Sequence, residues 1–236
     1  MLIDPATLAT NLDRLEEIEK ASLRLVVQAL YDFRDIAASI FREQTDLAQD
    51  RGEDISRAAL DRLGVSRIED RLLGKIDYKR ARYVFHQEYA IKQALFVDSK
   101  AEKVEGINTA TLQTAQTSMR IRQIRAGVEQ DVQGKLPKII ELGTAKYITT
   151  TIFIKFNYRV NGNANTLVSI TIAALPNGLL QERYNPTTTD TIWLAGRDAP
   201  RRREAFRVRL SLSMLREKKY WRVQTIPPTG PFTWTD

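Results

Sequence analysis

The chain has 236 residues, 43% of them hydrophobic, which is enough for one substantial core. Its formal net charge of +7 favours a polyanionic partner, because Lys and Arg side chains neutralise phosphates. The absence of cysteine and the single histidine exclude disulfides, Cys-based zinc sites and chemistry that needs two histidines, so a metal site would use oxygen ligands, which suit Mg²⁺ or Mn²⁺.

The amino-terminal region predicts helices. Asp4-Pro5 is a helix start, and an apolar stripe at helical spacing then continues to about residue 48, in one helix or in two with a kink. A second helix is expected from about 54 to 63, ended by Gly64. Glu43 could reach a metal site as a third acid, but a solvated carboxylate at a helix end is the preferred interpretation.

A pair of strands is predicted next, and it carries the acidic residues. Residues 80–85 alternate enough to form a strand antiparallel to the apolar run of residues 94–97, which ends at Asp98. The period of two places Asp98 and Lys100 on one face at this strand end, with Ser99 on the other. Asp77 would return to the same point, and His86 is expected in a turn at the surface.

The polar stretch that follows predicts a helix over 109–119, flanked by Arg120, Arg122 and Arg125. This region is either a mobile segment facing DNA or a solvated basic loop. From Tyr147 the period becomes two, which predicts a hairpin of two long strands with its turn at Asn161-Gly162. Two further strands are expected at 206–215 and 220–226, and the proline-rich end has no regular structure.

This order of elements predicts a mixed α/β (α+β) fold with a central mixed β-sheet flanked by helices. We expect one domain over 1–236, with helices at 4–63, a catalytic strand pair at 74–103 and DNA-recognition strands at 147–226. The first residues lack the pattern of a signal peptide and no run approaches a membrane span, so a cytoplasmic protein is expected.

The acids and lysines form a coherent hypothesis for phosphodiester hydrolysis. Asp77 and Asp98 would hold one or two Mg²⁺ ions, with the backbone carbonyl of Ser99 as a further ligand. Lys100 would orient or help deprotonate the attacking water and offset charge in the transition state. Alternatively, Asp77 and Lys79 could be the metal-and-lysine pair; otherwise Lys79 is a candidate for a phosphate contact.

A group of basic residues near the carboxyl end is a candidate for reading bases. Arg207 and Arg209 would emerge on one face of a strand, and Arg is the side chain that pairs with O6 and N7 of guanine. Asp198 could accept a hydrogen bond from cytosine, whereas residues 201–203, a run of arginines, favour phosphate contacts. For each arginine the alternative is a solvated side chain on an exposed strand.

The stretches GKIDYKRARYVF and LFVDSKAEK, with twenty-one residues from acid to acid, resemble those of the SfiI-type (SfiI/BglI) restriction endonucleases, within the D-(D/E)-x-K nuclease group. The resemblance extends in order to the amino-terminal helix, ITTTIFIKFNYR, LLQERYNP and FRVRLSL. It implies a restriction-endonuclease-like core and a prokaryotic type II enzyme that cleaves double-stranded DNA at a palindromic, interrupted, G/C-containing site.

The same resemblance assigns roles to residues. It implies metal binding by Asp77 and Asp98, the motif lysine at Lys100, base contacts at Arg207 and Arg209, and a basic contact at Arg197. It also implies Mg²⁺, for which Mn²⁺ can substitute, and a homodimer or homotetramer. Two alternatives stay open: a repair or recombination nuclease that reads DNA structure, and a non-catalytic DNA-binding protein whose acids pair with lysines.

Overall fold

The computed structural model of the protein describes residues 2–43, 48–63, 82–104, 108–162, 164–195 and 208–236. Its α-helices are α1 (Leu12–Glu43), α2 (Ala48–Asp61), α3 (Gln181–Tyr184) and α4 (Leu212–Lys218). Its strands are β1 (Arg82–His86), β2 (Ile91–Lys103), β3 (Thr109–Leu112), β4 (Arg120–Arg125), β5 (Val128–Gln133), β6 (Ile139–Leu142), β7 (Ala145–Asn161), β8 (Ala164–Leu175), β9 (Trp193–Ala195), β10 (Val208–Ser211) and β11 (Val223–Ile226).

A six-stranded mixed sheet forms the centre of the fold, in the order β1-β2-β7-β8-β11, with β6 also paired to β7. The strands β2 and β7 run parallel from the pair Gln93↔Ile148 to the pair Lys103↔Tyr158, and the other neighbours are antiparallel. Separate from this sheet are the three-stranded sheet β3-β10-β9 and the hairpin β4-β5. The predicted mixed α/β fold is therefore confirmed.

The helix α1 lies against the central sheet through the predicted apolar stripe. Asp4 caps a short 3-10 helix at Pro5–Thr10, and the chain then leaves helical geometry at Asn11, whose side chain accepts a hydrogen bond from the Arg14 amide. The predicted start is thus correct, and the kink has a cause: Asn11 ends one helix and caps the next. The second predicted helix is present as α2, which begins earlier than expected.

The two faces of the sheet pack against different partners. Ile152, Ile154 and Phe156 of β7 belong to a buried cluster with residues of α1 and α2. Phe153, which lies between Ile152 and Ile154 in the sequence, belongs instead to a second buried cluster with residues of β3, β10 and α4. Because side chains alternate along a strand, the face of β7 that carries Phe153 is turned toward the smaller sheet.

The helix predicted over 109–119 is wrong, because residues 109–112 form β3 and only Thr114–Gln116 form a short 3-10 helix. Ala110 and Leu112 are buried, whereas the β-branched residues Thr109 and Thr111 are half-buried, and this alternation suits a strand. The following arginines belong to the hairpin β4-β5, where Arg120 and Arg122 form ion pairs with Asp131.

The long hairpin over β7 and β8 is confirmed, and Gly162 at its turn has a φ of +59°, which glycine adopts without strain. The strand predicted at 206–215 is shorter: β10 ends at Ser211, whose hydroxyl accepts a hydrogen bond from the Met214 amide and caps α4. The strand predicted at 220–226 begins as a 3-10 helix and continues as β11. Residues 227–236 have no helix or strand, as predicted.

A buried charge network joins α1 to the far edge of the central sheet. Arg222 Nη2 lies 2.7 Å from Glu19 Oε2, and both side chains are inaccessible to solvent. Tyr184 donates a hydrogen bond of 2.6 Å to Glu16 Oε1, one turn away on α1. Burial raises the pKa of Glu19, and the Arg222 guanidinium opposes that shift. No helix within the described ranges is long and apolar enough to cross a membrane.

Candidate active site

Asp98 and Lys100 lie on one face of β2, as the period of two predicts. Lys100 Nζ is 3.5 Å from Asp98 Oδ2, and the aspartate side chain is only 4% exposed. The expectation that these residues close a strand is wrong, since β2 continues to Lys103. The strand continues because β7 pairs with it in parallel through this whole region, which supplies main-chain partners beyond the apolar run.

The ammonium group of Lys100 contacts groups from three strands. Besides Asp98, it donates a hydrogen bond to the carbonyl oxygen of Thr111 on β3, and it lies 5.4 Å from the centre of the Phe153 ring. Phe153 is the β7 partner of Asp98 in the sheet register, so its ring lies on the same face of the sheet as Asp98 and Lys100. The lysine is therefore fixed by a carboxylate, a main-chain oxygen and an aromatic ring.

Ser99 faces the opposite side of the sheet, toward α2. Its hydroxyl donates a hydrogen bond of 2.7 Å to the hydroxyl of Ser56, and both residues are buried. Its side chain cannot share a metal with Asp98 from that side, so the main-chain oxygen alone stays a candidate ligand. The glycine of α2, Gly52, lies against the backbone of β2 at Lys100 and Ala101.

A second acid–lysine pair, which the sequence analysis did not single out, lies beside the first. Glu102 continues the alternation of β2, and its Oε2 is 2.7 Å from Nζ of Lys155 on β7. Lys155 is fully buried and donates a hydrogen bond of 2.9 Å to the carbonyl oxygen of Thr109. A signal was available: Lys155 is a lone cation in the apolar run of residues 152–156.

Five of the predicted site residues lie outside the described residues, namely Asp77, Lys79, Arg197, Asp198 and Arg207. The arginine run of residues 201–203 also lies outside them. Within the described ranges no three acidic or histidine side chains cluster closely enough to hold a metal. Glu43 ends α1 with an exposed side chain that accepts a hydrogen bond from the Ser39 hydroxyl. This position matches the preferred interpretation of a solvated acid at a helix end.

Arg209 lies on β10, between Thr111 of β3 and Leu194 of β9 in the register of the smaller sheet. Its neighbours Val208 and Leu210 are fully buried, whereas Arg209 is half-buried. The predicted alternation, with the apolar residues inward and the arginine on the other face, is confirmed for these three positions. Lys100 donates its hydrogen bond to Thr111, the residue opposite Arg209, so one strand separates the two candidates.

The expected surface position of His86 is wrong. The residue ends β1 with a relative exposure of 7%, and its Nε2 lies 3.0 Å from Ser22 Oγ and 3.3 Å from Gln93 Oε1. Burial lowers the pKa of His86, while the hydrogen bond with Gln93 and the charge of Glu88 oppose the shift. The alternating pattern of β1 placed it inward, because Arg82, Val84 and His86 are the buried positions.

Comparisons with known proteins identify the family. The family model of the type II restriction enzyme SfiI matches residues 21–226. The type II restriction enzyme SfiI of Streptomyces fimbriatus is 35% identical over 233 residues, which cover 92% of this chain and 85% of the relative.

Solved structures of two restriction endonucleases are similar to the fold described above. One is the tetrameric restriction endonuclease SfiI bound to cognate DNA, with a TM-score of 0.79, 30% identity, and coverage of 94% of this chain and 87% of that one. The other is BglI bound to its DNA recognition sequence, with a TM-score of 0.74, 19% identity, and coverage of 95% of this chain and 94% of that one. At this identity the similarity to BglI concerns the fold alone. On this sequence match and this fold, the chain belongs to the SfiI family of type II restriction enzymes.

Proposed function

We propose that this type II restriction endonuclease cleaves double-stranded DNA with Asp98 and Lys100 at its active site. The observation that carries the proposal is the 3.5 Å contact between the two side chains on the central strand β2, in a chain of this family. Each cut would break the bond from phosphorus to the 3′ oxygen and join a water oxygen to phosphorus, which leaves a 5′-phosphate. The target would be a palindromic, interrupted site that contains G and C.

Asp98 would hold the catalytic metal together with Asp77 and the carbonyl oxygen of Ser99. The chemistry fits Mg²⁺, because a carboxylate and a carbonyl are hard oxygen ligands, and Mn²⁺ can substitute for it. When bound, Mg²⁺ would polarise the scissile phosphate and make water a stronger nucleophile. The restricted exposure of the Asp98 carboxylate favours this role, since its charge acts at short range with little screening by water.

Lys100 would contribute charge and orientation. Its contacts with Asp98, Thr111 and Phe153 hold the ammonium group in one place before the substrate arrives. A cation fixed in advance at the point where negative charge develops lowers the barrier more than a mobile one. In this position it would direct the attacking water and offset charge on the pentavalent phosphorus.

Recognition would involve Arg209 with Arg207, Arg197 and Asp198 as base contacts, and Lys79 and the run 201–203 as phosphate contacts. A pair of arginines on one strand face suits guanine, and each good bidentate pair contributes roughly 1–3 kcal/mol of discrimination. The protein would act as a homodimer or homotetramer, whose two-fold symmetry matches a palindrome. The tetramer named for the related SfiI structure supports this assembly. One domain over 1–236 would contain both functions.

Replacement of the candidate catalytic residues tests the proposal. Asp98→Ala and Lys100→Ala should each lower the rate of plasmid cleavage in Mg²⁺ by on the order of 100-fold or more, because each removes a fixed charge from the reacting phosphate. Binding of the same DNA in Ca²⁺ should persist. Asp35→Ala and Lys92→Ala are matched controls, since Asp35 is an exposed residue of α1 and Lys92 lies at the opposite end of β2.

The proposal fails if Asp98→Ala or Lys100→Ala retains the wild-type cleavage rate. Sequencing the ends of DNA digested by the wild-type protein gives the site, the stagger and the position of the phosphate in one experiment. Fragments without a common end sequence would contradict site-specific cleavage, and 3′-phosphate ends would contradict the proposed bond cleavage.

A further inference from the structure

The pair Glu102–Lys155 extends the candidate active site along the same face of the sheet. Lys155 is the β7 partner of Lys100 in the parallel register, so the two lysines lie side by side on adjacent strands. Both donate to main-chain oxygens of β3, Lys155 to Thr109 and Lys100 to Thr111. Carbonyl groups two residues apart lie on the same edge of a strand, so the two lysines hold one edge of β3.

An ion pair of this kind, with Lys155 buried and Glu102 half-exposed, does little for stability alone. Desolvation of two charged groups largely cancels their attraction, and apolar residues of similar volume often replace such pairs without loss. Lys155 is nevertheless completely buried, and Glu102 lies within 2.7 Å of it. The pair instead supplies a geometric constraint: the hydrogen bond from the Lys155 ammonium to the Thr109 carbonyl oxygen forms when β3 lies at a fixed distance from β7.

We propose that Lys155, oriented by Glu102, is a positioning residue for Lys100. By fixing β3 at Thr109, Lys155 sets the place of the Thr111 carbonyl oxygen, two residues along, to which Lys100 donates. Without Lys155 the edge of β3 is free to shift, and Lys100 loses the acceptor that holds its ammonium group beside Asp98. This inference rests on the proposed function, because it concerns the same reacting site.

The geometry also connects the candidate active site to Arg209, the candidate base contact. The strand β3 pairs with β10, where Ser211 lies opposite Thr109 and Arg209 lies opposite Thr111. A displacement of Arg209 on DNA binding would therefore act on the residue that accepts the hydrogen bond of Lys100. Lys155 keeps the neighbouring position fixed, so the effect falls on the lysine at the candidate active site.

Single-turnover cleavage of DNA by Lys155→Met tests the inference. The substitution keeps the length of the side chain and removes the ammonium group. We expect the rate constant at saturating enzyme to fall about 10- to 100-fold, the range for small misplacements of a catalytic group. The dissociation constant for the same DNA, measured in Ca²⁺, should stay within about threefold of wild type, because Lys155 is fully buried and so inaccessible to a bound ligand.

A purely structural role for Lys155 predicts another result. Partial unfolding lowers the amplitude of a single-turnover reaction, which counts active molecules, but leaves the rate constant of the folded fraction unchanged. Glu102→Gln provides a second, milder variant at a half-exposed position, and it keeps an oxygen that can accept from Lys155. We expect a smaller fall of about 3- to 10-fold in its rate constant, since the charge that orients Lys155 is lost. Lys92→Met is the matched control, since Lys92 lies at the opposite end of β2, the strand of Glu102, and is remote from the pair.

Unchanged rate constants in Lys155→Met would overturn the inference, even if the amplitude falls. If Lys155→Met does not fold, Glu102→Gln decides, and a wild-type rate constant there has the same consequence. Failure of the proposed function would give a different result. In that case the wild-type protein does not cleave DNA, or the Asp98→Ala variant cleaves it at the wild-type rate.

Discussion

At the scale of single residues, His86 is a buried ionisable side chain outside the candidate active site. It is enclosed by Ser22 of α1 and Gln93 of β2, and Gln93 in turn donates a hydrogen bond of 2.7 Å to Thr150 of β7. Burial lowers the pKa of His86 below its ordinary value of 6.5, although the nearby carboxylate Glu88 acts in the opposite direction. The imidazole is therefore neutral in the folded protein at neutral pH.

This shift predicts an acid-dependent loss of stability. Above pH 6.5 His86 is neutral in both states, whereas below it the unfolded chain binds a proton that the folded protein disfavours. Stability should fall with decreasing pH by at most about 1.4 kcal/mol per unit from this residue. The comparison is His86→Gln, which has no titrating group: its free energy of unfolding in urea should change less between pH 7.5 and 5.5 than that of the wild type. Equal changes would contradict the prediction.

Residue positions were predictable where alternation decides them. Asp98, Ser99 and Lys100 took the faces that a period of two assigns, and so did Val208, Arg209 and Leu210. His86 was misplaced because the predicted strand ended at residue 85 and put the histidine in the following turn, whereas β1 includes it. The Lys155–Glu102 contact was not predictable, since it depends on the parallel register of two strands that are far apart in sequence.

At the scale of elements, the strand β2, which carries the candidate active site, packs closely against the helix α2. Gly52 of α2 lies so close to β2 that a Cβ atom there would be 3.2 Å from the Lys100 carbonyl carbon and 3.3 Å from the Ala101 nitrogen. Both are main-chain atoms of a strand paired with a neighbour, so they yield less readily than a side chain. The close approach explains a glycine inside a helix, where it otherwise reduces stability.

Gly52→Ala therefore tests the support of β2 by α2. Alanine gains about 1 kcal/mol of helix propensity, but overpacking typically costs about 1–3 kcal/mol. We expect a net loss of about 1 kcal/mol in the free energy of unfolding, measured by chemical denaturation. Ala58→Gly, at an exposed position of the same helix, measures the propensity contribution separately. A variant more stable than wild type would show that β2 moves away without cost.

Elements were predictable where local chemistry is decisive. The hairpin over β7 and β8 followed from alternation and its Asn161-Gly162 turn. The error over 109–119 arose because a polar, threonine-rich segment has no strong pattern of its own, and β3 is stabilised by pairing with β10, almost a hundred residues later. The end of β10 was missed because its cap, Ser211, continues the strand-like alternation of apolar and polar residues into α4.

At the scale of the whole molecule, charge should govern association with DNA. The chain carries 36 basic and 29 acidic side chains, which gives the net charge of +7. Basic side chains that neutralise phosphates release counterions, so affinity falls as salt increases. Part of the basic surface is already engaged internally, since Arg120 and Arg122 pair with Asp131.

We expect binding to DNA in Ca²⁺ to weaken by about 1000-fold between about 50 and 200 mM salt, as for proteins with several phosphate contacts. Fluorescence anisotropy measures this affinity. An affinity that does not depend on salt would contradict the prediction.

Chelation of divalent cations should abolish cleavage, and added Mg²⁺ should restore it, since the proposed ligands are oxygen atoms. Gel analysis of plasmid DNA measures this effect. Cleavage in the presence of chelator would contradict the proposed metal dependence.

The fold class was predictable from the order of helices and strands, but the arrangement of strands was not. A sequence gives each strand its period and its faces, whereas the parallel pairing of β2 with β7 is set by the packing of the whole chain. The smaller sheet, in which β10 lies between β3 and β9, depends equally on pairings between distant parts of the sequence.

The contacts of Lys100 and Lys155 with β3 end on main-chain oxygens, and this choice of atom has an evolutionary consequence. Replacement of Thr109 or Thr111 changes a side chain but leaves the acceptor in place. Mutations can therefore accumulate along β3, next to the strand that carries Arg209, without loss of the hydrogen bonds that hold the lysines. With the roles proposed for Arg209 and Lys100, a chain built in this way could acquire a new target sequence while its chemistry of cleavage is inherited unchanged.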